Sequence, residues 1–410
     1  MGTELAPPII RRVLLSKGLR AFGDGYVSLL LPAYLLELGH SPVDVGIIAT
    51  VTLLGSGVIT LGVGWHAHRF ALRTLLLASA ALMAATGLGF ALVTSFWPLL
   101  LIALVGTLNP SNGDVSVFLP LEHSVLSHAA SDRNRTAVFA NYSLVGSLAA
   151  AVGALAAGLP ALAAHDWAIA PLAAMQAMFA FYALLAVATA VVYKGLPAAP
   201  EAEARRAPAP LTRSKARVYT LAALFGVDAF AGGLIAQSMI ALWLYQRHGL
   251  TPGEAGAIFF CTSILSAISF ILAVRIAGRI GLVNTMVFTH LPANACLVAI
   301  PFVDHLGVVI ALLLVRGLLS QMDVPTRSSY VMSIVLPEER PAAASITTVP
   351  RSLAAAVGPS IAGAMLAVSP FGWPLVAAGA IKIAYDLALL ATFRRVKPPE
   401  EEAASACARA

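Results

Sequence analysis

Twelve long apolar segments, separated by short polar breaks, constrain this chain more than any other feature of its sequence. A helix needs about 20 apolar residues to cross the hydrocarbon core of a bilayer, and every segment reaches that length. Backbone groups in lipid must be hydrogen-bonded within the protein, so segments of this length predict membrane-spanning helices. The predicted spans lie near residues 13–38, 42–64, 73–94, 97–126, 136–160, 168–193, 217–246, 252–276, 282–303, 306–335, 341–368 and 373–394.

The composition excludes several classes of protein. Hydrophobic residues make up 59% of the 410 positions and charged residues only 11%, against about 25% in an average soluble domain. A soluble fold cannot bury so much apolar surface, so we expect no water-soluble enzyme, disordered chain or nucleic-acid-binding protein. The three cysteines lack the spacing of a metal site, and no phosphate-binding loop or catalytic motif occurs. We therefore expect neither an enzyme nor a bound cofactor or metal.

The basic residues predict the orientation of the chain. With the N-terminus in the cytoplasm, twenty of the 26 lysines and arginines fall on the cytoplasmic side or at that interface. Cytoplasmic loops of membrane proteins carry such an excess of basic residues. We therefore interpret the net charge of +6 as a topology signal and expect both termini in the cytoplasm.

One break between the apolar segments has the composition of a linker. It is rich in proline, alanine and charged residues, which is typical of a flexible connection, and six segments lie on each side of it. We predict two six-helix bundles at 1–194 and 217–396, a cytoplasmic linker at 195–216 and a cytoplasmic tail at 397–410.

The two halves of the chain repeat each other. Residues 145–158 and 350–363, at an offset of 205 positions, are identical at nine of fourteen places, and the same offset pairs Arg135 with Arg340. The first helices of the halves pair Asp24 with Asp228. The fourth helices pair the Gly-Asp-Val at 113–115 with the Met-Asp-Val at 322–324.

A more specific match opens the second helix of each half. Residues 39–46 and 249–256 share the pattern Gly-x-[Ser/Thr]-Pro-x-[Asp/Glu]-x-Gly. A hydroxyl residue before proline, with an acidic residue three positions after the hydroxyl, predicts a capping box at a helix start. Matches in the same order in both halves indicate duplication, and two six-helix halves related in parallel are a transporter architecture.

The loop after the second predicted span carries a further motif, GWHAHRFALR. In major facilitator superfamily transporters this loop reads Gly-x-x-x-Asp-[Arg/Lys]-x-Gly-[Arg/Lys]-[Arg/Lys]. Arg69 and Arg73 fit, while His68 stands in place of the aspartate and Ala71 in place of the second glycine. Over its whole length the chain resembles this superfamily and, at 323–340, its bacterial members of unassigned substrate. The resemblance implies an all-α membrane protein of twelve transmembrane helices, with two six-helix halves related by pseudo-two-fold symmetry.

The charged residues within the predicted spans indicate where the site lies. A charge in a span costs about 2.5–3.5 kcal/mol on insertion scales and usually faces a cavity. The superfamily lines its cavity with helices 1, 4, 7 and 10, and the charges of this chain concentrate there. They are Arg20 and Asp24, Asp114 and Glu122, Asp228, and Arg316, Asp323 and Arg327.

Asp24 and Asp228 are the candidate proton-coupling residues, because each lies about ten residues into its helix. Burial favours the protonated carboxyl and a nearby arginine favours the carboxylate. A carboxylate that loses its arginine in one conformation therefore exchanges a proton during the cycle. Arg20, one turn before Asp24, is the expected partner. The alternative is a fixed Arg20–Asp24 ion pair that holds the first helix.

The remaining charges divide between substrate cavity and gates. Arg20, Asp114, Arg316 and Gln321 are expected in the substrate cavity, with Arg316 bound to an anionic group or balancing Asp323. Arg316, Asp323 and Arg327 share one face of a single tenth helix that Pro325 interrupts. Asp114, Asp323 and Arg327 have an alternative as ion pairs between the halves. The predicted gating residues are Arg69, Arg73, Arg279, Asp323, Arg327, Arg135 and Arg340.

Three charged sites fit this scheme less well. We expect Glu122 at the cytoplasmic interface. Lys382 and Asp386, four residues apart in a twelfth helix that should face lipid, are expected to neutralise each other. Arg351 has no assigned role.

These features predict a proton-coupled secondary transporter that exports a small organic compound across a bacterial inner membrane, as a monomer. Uptake of an organic anion or metabolite held by Arg20 and Arg316 is the alternative. A membrane receptor or scaffold that does not transport is an alternative of another class.

Overall fold

The structure is a computed structural model that describes residues 8–66, 70–111, 116–129, 135–197, 214–336, 339–394 and 396. Within these ranges the regular structure is helical. The helices are α1 (Pro8–Glu37), α2 (Pro42–His66), α3 (Leu72–Leu92), α4 (Phe96–Val105), α5 (Phe118–Ala129), α6 (Arg135–Ala156), α7 (Leu159–Trp167), α8 (Pro171–Lys194), α9 (Lys215–Leu234), α10 (Gln237–His248), α11 (Pro252–Ile280), α12 (Leu282–Ala299), α13 (Leu306–Ser320), α14 (Asp323–Ser333), α15 (Arg340–Val368) and α16 (Trp373–Phe393), with a 3-10 turn at Ile300–Phe302.

Each predicted apolar segment coincides with one helix or with two consecutive helices. Ten stretches within the described residues are long and apolar enough to cross a membrane, and α4 is a shorter apolar helix. The highly charged α1 accounts for the first segment. The chain is therefore an all-helical multi-pass membrane protein, as predicted, and the count of twelve spans is compatible with the structure.

Three of the predicted spans are divided into two helices. The fourth comprises α4 and α5, the seventh α9 and α10, and the tenth α13 and α14. In the tenth span the break falls at Gln321 and Met322, so the predicted interruption of the helix at Pro325 was wrong in its position. Pro325 is the third residue of α14, and the first turn of a helix needs no donor from its backbone nitrogens.

Two compact units divide the described chain. The N-terminal unit contains α1–α8 with α10 and the first turns of α11. The C-terminal unit contains α9, the rest of α11 and α12–α16. Parts of the predicted linker and the whole predicted tail lie outside the described residues, so the domain boundaries stay a prediction.

The two repeated helix starts form capping boxes, as predicted. The Ser41 amide and hydroxyl donate to Asp44 Oδ2 at 2.9 and 2.7 Å, and the Asp44 amide donates back to the Ser41 hydroxyl at 3.3 Å. Thr251 and Glu254 repeat the pattern at 2.8, 2.9 and 3.3 Å. The leading glycine of each motif, Gly39 or Gly249, has a positive φ of 84° or 65°, which favours glycine after a helix end.

Glycines bring the first helix of each half close to the fifth. A Cβ on Gly25 of α1 would overlap the carbonyl oxygen of Ala150 on α6. A Cβ on Gly233 of α9 would overlap the carbonyl oxygen of Ala355 on α15 in the same way. Ala150 and Ala355 are 205 positions apart, so this contact is repeated between the halves. Small residues allow such close packing of membrane helices.

The repeated contact also fixes which residues of the first helices correspond. Gly25 and Gly233 are 208 positions apart, and the same offset pairs Arg20 with Asp228. The pairing of Asp24 with Asp228 that the sequence suggested is therefore displaced by one helical turn.

Candidate transport site and buried charges

A buried ion pair joins α1 to α5 in the N-terminal unit. The Arg20 guanidinium donates to Glu122, and their side chains are 4% and 0% exposed. The hydroxyls of Tyr142 and Tyr193 each donate to Glu122 at 2.6 Å, and the guanidinium lies 4.0 Å from the centroid of the Phe118 ring. Glu122 is thus fully buried, and its place at the cytoplasmic interface stays a prediction. Two tyrosines and an arginine satisfy its carboxylate there.

Asp24 lies one turn further along α1 and is partly exposed. The hydroxyl of Tyr182 on α8 donates to Asp24 Oδ1 at 3.3 Å. Arg20 is close enough to interact electrostatically with Asp24, although Glu122 has the larger effect on it. Arg20 is therefore shared between two carboxylates, one buried and one partly exposed.

Asp228 is the centre of an ionic network in the C-terminal unit. Its Oδ1 accepts from Lys382 Nζ of α16 at 2.6 Å, and its Oδ2 accepts from Arg327 of α14 at 3.2 Å. Arg327 also pairs with Asp323 at 2.7 Å, one turn earlier on α14. All four residues are buried. Two cations and two carboxylates balance each other, which offsets the large cost of burying each charge.

The expectation that Lys382 and Asp386 neutralise each other towards lipid was wrong. Lys382 bonds to Asp228, while Asp386 accepts from His290 Nδ1 at 2.9 Å and from Asn294 Nδ2 at 3.0 Å. Asp386 is 0% exposed. The two residues face the interior of the unit because α16 packs against both α9 and α12.

His290 and Asn294 are functional candidates that sequence reasoning missed. They lie four residues apart on α12 and are 4% and 1% exposed. The available signal was their shared face in an otherwise apolar span, since polar residues at that spacing align along one side of a helix.

Two other arginines of the C-terminal unit have no carboxylate within ion-pair distance among the described residues. Arg316 on α13 and Arg351 on α15 are partly exposed, and the Nε atom of each is buried without a hydrogen-bond acceptor. Gln321, the other predicted cavity residue of this span, caps the end of α13 and is partly exposed. Arg316 therefore does not pair with Asp323, whose partner is Arg327.

The structure describes only some of the arginines that are predicted to act in gating. Arg69 and Asp114 lie outside the described residues, and Arg135 begins α6 without a described side chain. Arg73 is in the first turn of α3, and Arg279 is exposed at the end of α11. The remaining one, Arg340, donates from Nε to the carbonyl of Met332 at 3.0 Å. Within the described ranges, no group of three histidine, cysteine or acidic side chains could hold a metal ion.

Comparison with known proteins decides the family. The pattern of the Major Facilitator Superfamily matches residues 13–318 and 221–407. The chain belongs to this superfamily. A relative described as an uncharacterized membrane protein, YJR124C of Saccharomyces cerevisiae, is 23% identical over 411 residues, with 92% of each chain covered.

Solved structures of other superfamily members share the fold. A mutant of the nucleoside transporter NupG is similar with a TM-score of 0.76, at 14% identity, covering 94% of this chain and 100% of that one. A bacterial homologue of the human lysosomal transporter Spinster gives 0.76 at 14% identity, covering 94% and 97%. The human organic anion transporter MFSD10 gives 0.66 at 17%, covering 93% and 99%. Membership of the superfamily makes the chain a secondary transporter of a small molecule in a membrane, and not an enzyme.

Proposed function

We propose that the chain exports a small organic solute in exchange for protons, by alternating access, across a bacterial inner membrane with both termini in the cytoplasm. The partly exposed carboxylate of Asp24, in the interior of α1, carries the proposal. A membrane-embedded carboxylate is costly and marks a path for ions or substrate. The neutral Tyr182 hydroxyl that donates to it is compatible with both the protonated and the ionised carboxyl.

Arg20 provides a means to load and release the proton. In the structure it donates to Glu122, one turn away from Asp24. While Arg20 donates to Glu122, its charge stabilises the Asp24 carboxylate less, which favours proton binding there; an Arg20 that turns to Asp24 stabilises the carboxylate and favours proton release. This exchange needs a rotation of one side chain and no break in α1.

Asp228 has a different role in this proposal. Lys382 and Arg327 both stabilise its ionised form, so it exchanges a proton only in a conformation where one of these cations has moved. We therefore assign Asp24 as the first coupling group and Asp228 as a residue that links three helices of the C-terminal unit. We also propose a role in gating for five arginines: Arg69, Arg73, Arg135, Arg279 and Arg340.

Everted membrane vesicles test the proposal. An acid-inside gradient is reported by a fluorescent weak base, and candidate compounds are added one at a time. Export coupled to protons restores the fluorescence in wild type and not in Asp24→Asn, whereas Asp44→Asn, a change in a capping box, is the matched control and retains the response. A response that is unchanged in Asp24→Asn would contradict the coupling role. Absence of any response across a broad panel would contradict proton-coupled export.

Uptake of an organic anion is the second candidate, favoured by Arg316. The Nε atom of Arg316 lacks a hydrogen-bond acceptor, and no described carboxylate pairs with the guanidinium. A carboxylate or phosphate of the substrate would accept its hydrogen bonds and balance its charge. One structural neighbour is described as an organic anion transporter. Proteoliposomes that take up labelled organic acids, but not their neutral amides, would support this candidate. We expect Arg316→Gln to abolish that uptake and Arg316→Lys to retain part of it. A scaffold would tolerate all of these substitutions.

A further inference from the structure

The carboxylate of Asp386 lies in a built polar site between α12 and α16. Both of its oxygens are hydrogen-bonded, one to His290 at 2.9 Å and one to Asn294 at 3.0 Å. All three side chains are at least 96% buried. Around them, α12 and α16 pack through apolar residues such as Val287 and Leu389, so the packing of these helices does not itself require charged groups.

The charge balance of this site depends on one proton. Asp228, Asp323, Lys382 and Arg327 already neutralise one another. Among the described residues, the group that pairs with Asp386 is His290, and its charge depends on its protonation. With neutral His290 the pair has a net charge of −1, and with one added proton it is neutral, whether that proton is on the imidazole or on the carboxyl. An uncompensated charge at this depth is costly, so the site favours the proton-bound form.

The site is connected to the network around Asp228. Lys382 precedes Asp386 by one turn of α16 and bonds to Asp228. A lysine that leaves Asp228 therefore has Asp386 within reach. Its ammonium would then stabilise the deprotonated pair, and the proton would leave the imidazole or carboxyl for water. Movement of α16 relative to α9 would thus change both the Asp228 ion pair and the occupancy of the proton site.

We infer that His290 and Asp386 form a proton-binding site of the C-terminal unit, distinct from Asp24, and that Lys382 controls its occupancy. The inference rests on the proposed proton-coupled transport and adds a second exchanging group to it. The helices packed around the pair carry further charged and titratable groups: Lys215, Arg217, Tyr219 and Asp228 of α9, Cys296 of α12, Arg316 of α13, Asp323, Arg327 and Tyr330 of α14, Arg340 and Arg351 of α15, and Lys382 and Tyr385 of α16.

Nitrogen-15 NMR of histidine-labelled, full-length protein in detergent tests the site without a known substrate. The chain has nine histidines, and the signal lost in His290→Gln assigns His290. Recorded across a pH series, that signal is expected to pass between its two protonation states in wild type and to do so differently in Asp386→Asn and in Lys382→Met. A His290 signal that stays in one protonation state throughout would overturn the inference and identify the pair as a fixed structural contact.

Transport assays separate this inference from the proposed function. With any compound that wild type transports, we expect the rate of substrate exchange in Asp386→Asn to lie within about threefold of the wild-type rate, since exchange moves no net proton. In the same variant we expect the substrate accumulation driven by a proton gradient to fall at least about tenfold below wild type, which corresponds to about 1.4 kcal/mol of coupling free energy. The exposed pair His165 and Asp166, whose side chains are 88% and 60% exposed, supplies the control variants His165→Gln and Asp166→Asn, which should behave as wild type.

The outcomes are distinguishable. Gradient-driven accumulation that persists in Asp386→Asn, with wild type active, would overturn the inference and leave the proposed function intact. Wild type that exchanges substrate without any response to a proton gradient would contradict the proposed function, while the NMR titration would still decide whether the proton site exists. If Asp386→Asn fails to fold, His290→Asn is assayed in the same two modes, because it retains a hydrogen-bonding group beside Asp386.

Discussion

Glu122 on α5 and Arg327 on α14 each form a buried ion pair with the first helix of their own half, and the two residues carry opposite charges. Glu122 pairs with Arg20, and Arg327 pairs with Asp228. The register of the glycine contacts aligns Arg20 with Asp228. Both halves therefore have a buried ion pair between their first and fourth helices, with opposite polarity.

Removing the acid of the N-terminal pair should destabilise that unit strongly. In Glu122→Gln the buried Arg20 loses its hydrogen-bonded carboxylate and retains only the more distant effect of Asp24, and breaking a buried pair costs about 3–5 kcal/mol. We expect a large fall in the melting temperature of the purified protein in detergent. The double variant Arg20→Glu with Glu122→Arg, which copies the polarity of the C-terminal unit, should recover at least half of the loss. A melting temperature of Glu122→Gln within two degrees of wild type, roughly the effect of a sub-kcal/mol change, would show that the pair contributes little.

Loss of Asp228 should lower the stability of the folded protein, whatever its effect on transport. Asp228→Asn leaves Lys382 and Arg327 with a single carboxylate between them, and we expect a destabilisation of about 3–5 kcal/mol. Replacing the surplus cation as well, in Asp228→Asn with Lys382→Met, should restore most of the stability. Thermal unfolding of both variants in the same detergent measures this. Full stability of Asp228→Asn alone would instead favour a carboxyl that is readily protonated, as the sequence first suggested.

The close contact of α9 with α15 should tolerate no side chain at Gly233. Its Cβ would overlap the backbone of α15, and overpacking of this kind costs about 1–3 kcal/mol or more. Gly226 is on the same helix and has open space around it, so Gly226→Ala should be neutral or stabilising by up to about 1 kcal/mol. Comparison of the melting temperatures of Gly233→Ala and Gly226→Ala tests the contact. Equal behaviour of the two variants would contradict it.

The capping boxes should make equal contributions in the two halves. Thr251→Ala removes the hydroxyl that accepts from the Glu254 amide, and loss of such a cap costs about 1 kcal/mol. Ser41→Ala should cost the same at the start of α2. Thr251→Ser keeps the hydroxyl and is the matched control. A loss in Thr251→Ser as large as in Thr251→Ala would assign the effect to the methyl group and not to the cap.

Local patterns predicted much of the fold. The apolar segments, the capping boxes at Ser41 and Thr251, and the close packing of the glycine-rich stretches follow from spacing along one helix. Such patterns report the face and the ends of a helix, which are set by residues within a few turns. They also placed Asp228, Asp323 and Arg327 among the interior charges.

The partners of the buried charges could not be predicted in the same way. Lys382 and Asp386 are correctly spaced to pair with each other, and Arg20 is correctly spaced to pair with Asp24. Which partner each takes depends on helices more than seventy positions away in the chain. Glu122 is a clear example, since its burial depends on Tyr193 of α8 and on Arg20 of α1. The position of the break before α14 likewise depends on how that short helix packs, and not on Pro325 alone.

The reversed polarity of the two ion pairs bears on how the chain assembles as it is made. A duplicated protein with identical charges in both halves would allow α5 to dock on α9, or α14 on α1, and so trap a misassembled bundle. Here a swapped docking would place Glu122 against Asp228 and Arg20 against Arg327, and like charges in a low-dielectric environment repel strongly. The opposite polarity of the two pairs therefore disfavours an exchange of these helices between the halves.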